Sequence, residues 1–464
     1  MHAVGSLSAT AVFLLAAIPA LGQDAPPAPT SAPAAQDAEP ANTEAVPNVA
    51  EGLLPLQDYT GDLLTRRYLT GDWGGHRTAL AKMGIQLDVN YTNILQSVLD
   101  GGRDTDTRYG GTLDYNLNLD LHRMGVMPGA IIKFRAESRY GGSVNGIAGP
   151  ILPVNTDALF PMTAELDDDI PITITNLLYM QFLSEKFGLL LGKFDTLDSD
   201  PNEFSSGRGM SQFLNSNFVF NATSALTAPY STLGAGAILI PVKGITLSTS
   251  IYNTADSSTT TGFEDFGDGA SWATEAQFQY RLGQLPGGQN VGFIYSFDNN
   301  FNKIGGRFTL QRGEGVVAPS TDNTWSVYWS GWQYLYVENP SDAQIDVTNG
   351  TVDRQGVGLF ARFGLADHDV NPVEWSASGG IGGRGVIPSR DDDTFGVGYY
   401  YSKIETGRLG AAIGLDDETQ GFEAFYNLSI TPAAHLTIDV QVVDSLQPSI
   451  DDAVVVGLRL GLRF

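Results

Sequence analysis

The sequence predicts an all-β fold: a single transmembrane antiparallel β-barrel of about 16 strands, of the outer-membrane type. Three observations carry that expectation. Apolar and polar residues alternate through repeated segments of about ten residues, separated by polar or glycine-rich breaks. An export signal opens the chain, and no later apolar run approaches the ~20 residues that a membrane helix needs. The composition is that of an exported protein, with no cysteine in 464 residues, 54 glycines and only 17% charged residues. Lipid offers no partner to backbone N–H and C=O groups, so a spanning protein without helices must close its sheet.

Residues 1–22 read as a signal peptide, with the apolar stretch ATAVFLLAAIPALG ending in the small-x-small sequence Ala20-Leu21-Gly22. Residues 23–60 are Pro/Ala-rich, acidic and poor in large apolar side chains. They are expected to form a disordered tether, because such a segment buries too little surface to offset its ordering entropy. Residues 61–84 are expected to hold a short helix leading into the barrel, with Asp72 as its cap and Gly84 as its stop.

Residues 85–464 carry the barrel pattern. Leu87, Val89 and Tyr91 share one parity, and Gln86, Asp88 and Asn90 the other. The run TLDYNLNLDLH is the clearest: Leu113, Tyr115, Leu117, Leu119 and Leu121 oppose Asp114, Asn116, Asn118, Asp120 and His122. Successive strand residues point to opposite faces, so one face suits lipid and the other water. Such runs recur to the end, about seventeen in all, and a single-chain bacterial barrel has an even number. The stretch 289–311 is therefore taken as one long strand with an irregular middle, which leaves sixteen. In the last run Leu458, Leu460 and Leu462 share the parity of Phe464, while Arg459 and Arg463 face the other way. Phe464 is expected to close the last lipid-facing strand and to address the barrel-insertion machinery.

The net charge of −26 argues against nucleic acid as a partner, and the acids gather in expected loops such as AELDDDI, SRDDDT and GLDDET. No activated nucleophile or metal triad stands out, so neither an enzyme nor a cofactor site is expected. Gly380, Gly382 and Gly385 match a dinucleotide-binding spacing, but Pro388 and another alternating run follow where a helix would be required. These glycines are expected to serve a strand that bends or needs room.

The stretch IIKFRAESRYGG places Lys133, Arg135, Glu137 and Arg139 on the luminal parity. Two readings fit: a set of donors and an acceptor for solute hydroxyls with a local ion filter, or a salt-bridge ladder stiffening the wall. Lys193, Asp195, Glu423 and Arg459 are further pore-lining candidates, with Arg463 beside them.

LTGDWGGHRTALAKMGIQLDVNYT resembles the opening motif of the carbohydrate-selective porins of the OprB family. FGLLLGKFDTLDSDPNEF resembles that family's glycine-lysine-aspartate segment, and FEAFYNLSITPAAHLTIDVQVV with DDAVVVGLRLGLRF resembles its closing strands. The resemblance spans roughly Leu69 to Phe464. It implies a sixteen-stranded channel in the bacterial outer membrane whose narrow eyelet passes glucose and other small sugars. Its partners would be small sugars and outer-membrane lipid, and its assembly a monomer or homotrimer. The alternative is a general or ion-selective porin without sugar preference.

Overall fold

A computed structural model describes residues 52–464, apart from 164–167, 200–201, 268, 307–308, 312–314, 318, 339–344, 347–350 and 353–354. Sixteen strands form one closed antiparallel barrel. They are β1 (Ile85–Asp100), β2 (Thr107–Asp120), β3 (Ala130–Gly141), β4 (Ile170–Ser184), β5 (Phe187–Asp195) and β6 (Ser231–Val242). Next come β7 (Ile245–Asn253), β8 (Ala270–Leu282), β9 (Leu285–Phe297), β10 (Thr324–Val337) and β11 (Gly356–Ala366). The last five are β12 (Val373–Arg384), β13 (Thr394–Ile404), β14 (Glu418–Thr431), β15 (Ala434–Val443) and β16 (Ala453–Arg463). Each pairs with its chain neighbours, and β1 closes on β16 with Asn93 opposite Leu460. The fold class read from the sequence is the one observed.

The expected alternation faces outward as apolar wall. Ile438, Leu458 and Phe422 are exposed there, while Asp439, Arg459 and Glu423 on the opposite parity are buried in the lumen. The two rims differ. Turns at 185–186, 243–244, 283–284 and 432–433 are tight, whereas the opposite rim carries connections at 142–169, 196–230 and 298–323. Outer-membrane barrels keep short turns at the periplasm and long loops outside.

Two expectations are corrected. The run at 303–311 is no part of a long barrel strand. β9 ends at Phe297, and within the loop that follows Thr309–Gln311 pairs with Gly315–Val317, so the alternation there belongs to a small hairpin. The expected tether also ends sooner than residue 60. Leu53 and Leu54 pack against an apolar cluster containing Ile131 and Leu178, and Tyr59 is fully buried. Gln86 donates to the Pro55 carbonyl (2.6 Å), and the Leu54 amide donates to Asp120 (2.9 Å). These contacts account for residues 52–59; the remainder of the expected tether and the signal peptide lie outside the described residues.

The expected helix is α1 (His76–Lys82), reached through a turn at Trp73–Gly75. Asp72 accepts from the Thr78 amide (2.7 Å), and Gly84 follows the helix at φ +96°. A side chain at Gly84 would meet the Asp120 carbonyl at 2.7 Å, so both backbone and space require glycine. Arg77 points from α1 into a cage of Tyr59, Tyr68 and Trp73, its guanidinium carbon 4.0, 4.6 and 5.1 Å from the three rings. The same guanidinium binds Asp88 (2.8 Å), the Leu87 carbonyl (2.6 Å) and the Phe464 carbonyl (2.8 Å). Phe464 is itself paired with Val89, its amide donating to the Val89 carbonyl at 2.8 Å.

Candidate functional site

A barrel of this size leaves a lumen too wide to select solutes unless something fills it. Here two connections from the long-loop rim turn inward, residues 142–169 after β3 and residues 196–230 after β5. The β5–β6 loop meets the wall on several strands. Glu423 on β14 accepts from the Leu214 and Asn215 amides (2.5 and 2.9 Å). Arg459 on β16 donates to the Gly209 and Gln212 carbonyls (2.7 and 2.8 Å). Arg362 on β11 binds Ser205 and the Phe218 carbonyl, and Asn202 donates to Ser330 on β10 (3.1 Å). The β3–β4 loop is fixed alongside: Asp157 accepts from Thr112 (2.8 Å), and Asn155 donates to Gln96 (2.9 Å). Burial pushes the Asp157 carboxyl up to about 7.

Against β10–β14 the filling is dry. Phe204, Phe213 and Phe218 of the β5–β6 loop form one buried cluster with Tyr334, Phe360, Tyr400 and Phe425 of the wall. Ring centroids lie 4.6 Å apart for Phe213–Phe218, 4.8 Å for Phe204–Tyr334 and 4.9 Å for Phe213–Phe425. The wall makes room with glycine. A Cβ at Gly358 would stand 2.4 Å from the Phe204 ring, at Gly382 2.7 Å from the Phe204 Cβ, and at Gly398 2.6 Å from the Phe218 ring. Gly382, one of the three glycines of the dinucleotide-like spacing, is therefore a seat for a phenylalanine.

Against β1–β4 and β14–β16 the lumen is wet. A cavity of about 470 Å³ opens there, with the amides of Asn90, Asn116, Asn118, Asn176 and Asn427 on its wall. Its charged lining is Lys133, Arg135, Arg208 and Arg463, against a single carboxylate, Asp88, which Arg77 already holds.

Beside this cavity two guanidinium groups share one carboxylate. Arg208 Nη1 binds both oxygens of Asp195 (2.8 and 2.9 Å), and Arg135 Nη1 binds Asp195 Oδ2 (2.7 Å). Arg208 Nη2 binds Glu137 (2.7 Å), and Arg135 Nε donates to Asn116 (3.0 Å). The Tyr230 hydroxyl, near Arg208, donates to Glu137 and to Asp195 (3.2 Å). Burial holds that phenol well above its usual range, so it stays a donor. Arg208 has φ +58° between Gly207 and Gly209, which are also left-handed. A non-glycine residue there carries strain, offset here by its fixed guanidinium contacts.

The eight residues singled out from the sequence divide by place. Lys133 and Arg135 reach the cavity, and Asp195 and Glu137 lie behind Arg208 as its counter-charges. The other four do not line open water. Arg139 is buried, its guanidinium on the carbonyls of Ala158, Leu159 and Pro161 and on Thr163. Glu423 and Arg459 are fully buried as loop anchors. Lys193 lies opposite Leu177 on the outer face, where Nζ is capped by the carbonyls of Ile174, Ser257 and Thr260 (2.8, 2.7 and 2.8 Å). The sequence reading missed Arg208. Its only signal was a lone arginine between two glycines in SSGRGMS.

A family model described as carbohydrate-selective porin, OprB family, matches residues 104–464. Porin B of Pseudomonas aeruginosa is 23% identical over 439 residues, covering 86% of this chain and 91% of that protein. Among solved structures, the high-pH structure of Pseudomonas putida OprB superposes with a TM-score of 0.72 at 20% identity, over 87% of this chain and 100% of that one. The low-pH structure of the same protein gives a TM-score of 0.54 at 15% identity, over 86% and 99%.

Proposed function

This chain belongs to the carbohydrate-selective porin family, OprB, and on that premise we propose that it passes glucose and other small sugars through a constricted, water-filled channel in the bacterial outer membrane. The movement is passive, driven by the concentration difference alone. The observation that carries the constriction is the Arg135–Asp195–Arg208 arrangement at the head of the asparagine-lined cavity. Planar guanidinium groups held in place present donors in a fixed fork, and asparagine amides offer both donors and acceptors. A sugar ring with hydroxyls on several carbons can exchange its water shell for such groups stepwise, while a bare ion gains less from them.

Binding in such a channel must be strong enough to favour sugar and weak enough to release it. Single-channel conductance in planar bilayers, measured with and without glucose, tests this. Glucose should reduce ion current in a saturable manner, and Arg208→Ala should weaken that block by about tenfold, the loss of one to two charge-assisted hydrogen bonds. A current indifferent to glucose would leave a general or ion-selective porin as the better reading.

A further inference from the structure

The connection between β7 and β8, residues 254–269, lies back across the outside of the wall, over β6, β5 and β4. Lys193 on β5 and Leu233 on β6 are register partners that face outward with Leu177. Lys193 places its three N–H donors on the carbonyls of Ile174 in the wall and of Ser257 and Thr260 in the loop. The Ser257 amide donates to the Ser231 carbonyl (2.7 Å), and the Ser231 amide donates to Asp256 (3.0 Å). Thr173 on β4 donates to the Ser258 carbonyl (2.7 Å). Gly262, at φ +82°, runs so close to the wall that a Cβ there would stand 3.2 Å from the Leu233 Cγ. Phe263 and Phe266 follow, 69% and 65% exposed, with ring centroids 6.0 Å apart. Around them the wall is apolar, with Ile172, Ile174, Leu177, Leu191 and Ile251 exposed on its outer face.

We propose that this loop is a membrane anchor: Lys193 and Ser231 hold it against the outside of the barrel, and Phe263 and Phe266 enter the outer lipid leaflet. The inference is independent of which solute the channel passes. The rings continue an apolar wall that lipid already covers, and aromatic side chains gather where hydrocarbon meets headgroups. The loop belongs to the long-loop rim, which puts it at the outer leaflet. Glu264, between the two rings, is exposed, and the Thr261 hydroxyl (2.8 Å) holds its carboxyl below the usual range and charged. That charge sets the depth, with the rings in the acyl boundary and the carboxylate in water. A second copy of this chain is a poorer occupant, because two rings of about 150–250 Å² each fall well short of the roughly 1,200–2,000 Å² of a stable protein interface.

The chain has no cysteine, so single nitroxide labels can be placed without removing any native thiol. Phe263→Cys, Glu264→Cys and Phe266→Cys carry the test in the full chain, reconstituted into phospholipid vesicles. Leu191→Cys on the lipid-facing wall and Asp104→Cys in the exposed β1–β2 loop serve as references. Relaxation of each label by oxygen, which concentrates in hydrocarbon, is compared with relaxation by a water-soluble nickel chelate. Labels at 263 and 266 should follow Leu191, with an oxygen-to-nickel ratio severalfold above that at 264, which should follow Asp104. Lys193→Met removes the tie between loop and wall, so nickel access at 263 and 266 should then rise severalfold. Heat-modifiable gel migration selects folded protein for every comparison. Labels at 263 and 266 as open to nickel as that at Asp104 would overturn the anchor. Labels sheltered from both reagents, with spin–spin broadening that grows with protein-to-lipid ratio, would overturn it in favour of a second copy. Labels that stay in lipid in folded Lys193→Met would overturn the holding role given to that lysine.

Discussion

The two sides of this lumen are made from the same kind of strand yet solve different problems. On β11–β14 glycines and aromatic rings face inward beside the loop anchors Arg362 and Glu423, and loop phenylalanines fill the space above Gly358, Gly382 and Gly398. On β1–β3 the residues that face the cavity are mainly amides and charges, among them Asn90, Asn116, Asn118, Lys133 and Arg135, and water-accessible space remains. The dry side seats the rings of the loop; the wet side leaves the cavity open. The two belong together, because an inward side chain is only as well placed as the loop that carries it. Arg208 lies in the chain between Phe204 and Phe213, so its position over Asp195 depends on rings seated across the barrel.

The largest effect should come from filling the seats. Gly382→Leu with Gly398→Leu places side chains where Phe204 and Phe218 now lie, at an overpacking cost of about 1–3 kcal/mol per site. Aromatic contacts worth about 0.5–1.5 kcal/mol each cannot absorb that cost, so the β5–β6 loop should leave its place. Single-channel conductance should rise severalfold and glucose block should vanish. Gly461→Ala on the wet side, with its nearest neighbour 3.9 Å away, should change conductance little. Equal responses to the two substitutions would erase the distinction between the sides.

A smaller effect separates two arginines on one strand. Arg135→Ala removes a cation facing the cavity, so ion preference should shift toward cations and glucose block should weaken, with folded yield near normal. Arg139→Ala instead deprives the Ala158, Leu159 and Pro161 carbonyls of a donor, at a cost of about 1–3 kcal/mol. Its signature should be a lower temperature of heat-modified gel migration, with ion preference nearly unchanged. Reversal potentials and gel migration on both variants decide, and an Arg139→Ala channel with altered ion preference but normal stability would reverse the assignment.

The smallest effect concerns pH. Asp157 has a carboxyl raised by burial to about 7 from an ordinary 3.8, so the folded loop holds a proton that the unfolded chain releases earlier. The stabilisation from the protonated form is complete below about pH 4 and fades as pH rises through about 7. Amide exchange in residues 145–160 should therefore quicken modestly from pH 5 to pH 8, after correction for intrinsic rates. Asp157→Asn should remove that dependence. A loop that is better protected at pH 8 would contradict the sign.

Much of the fold was legible because lipid and water impose a strict two-residue period on every spanning strand. Where that period broke, legibility broke with it. β4 begins at Ile170, but clean alternation starts only near residue 176, because the register with β3 shifts between Arg135 and Ala136. Beyond that bulge the outward residues change parity, from Leu177 to Ile174 and Ile172. β5 has leucine on both faces, Leu189 and Leu191 outside and Leu190 within, so parity could not tell that Lys193 points away from the pore. The site was less legible than the wall for a physical reason. Strand pattern reports which face a side chain takes, but not whether an inward loop covers it. Arg459 and Arg463 are four residues apart on one face, and only the loop carbonyls over Arg459 separate an anchor from a cavity residue.

The contact between Arg77 and Phe464 has a temporal meaning as well as a spatial one. Its partners are 387 residues apart in the chain, and a loop of that length closes at a steep entropic cost unless the intervening strands are already paired. The clasp therefore belongs to the last moments of assembly. An amino-terminal segment beside the first strand already has Asp88 and the Leu87 carbonyl as acceptors, and gains the Phe464 carbonyl as a further one only when β16 arrives beside β1. A barrel missing a strand, or closed in the wrong register, would offer Arg77 no such acceptor and leave a guanidinium buried among three rings without it. The arginine thus adds one hydrogen bond that only the closed circle supplies.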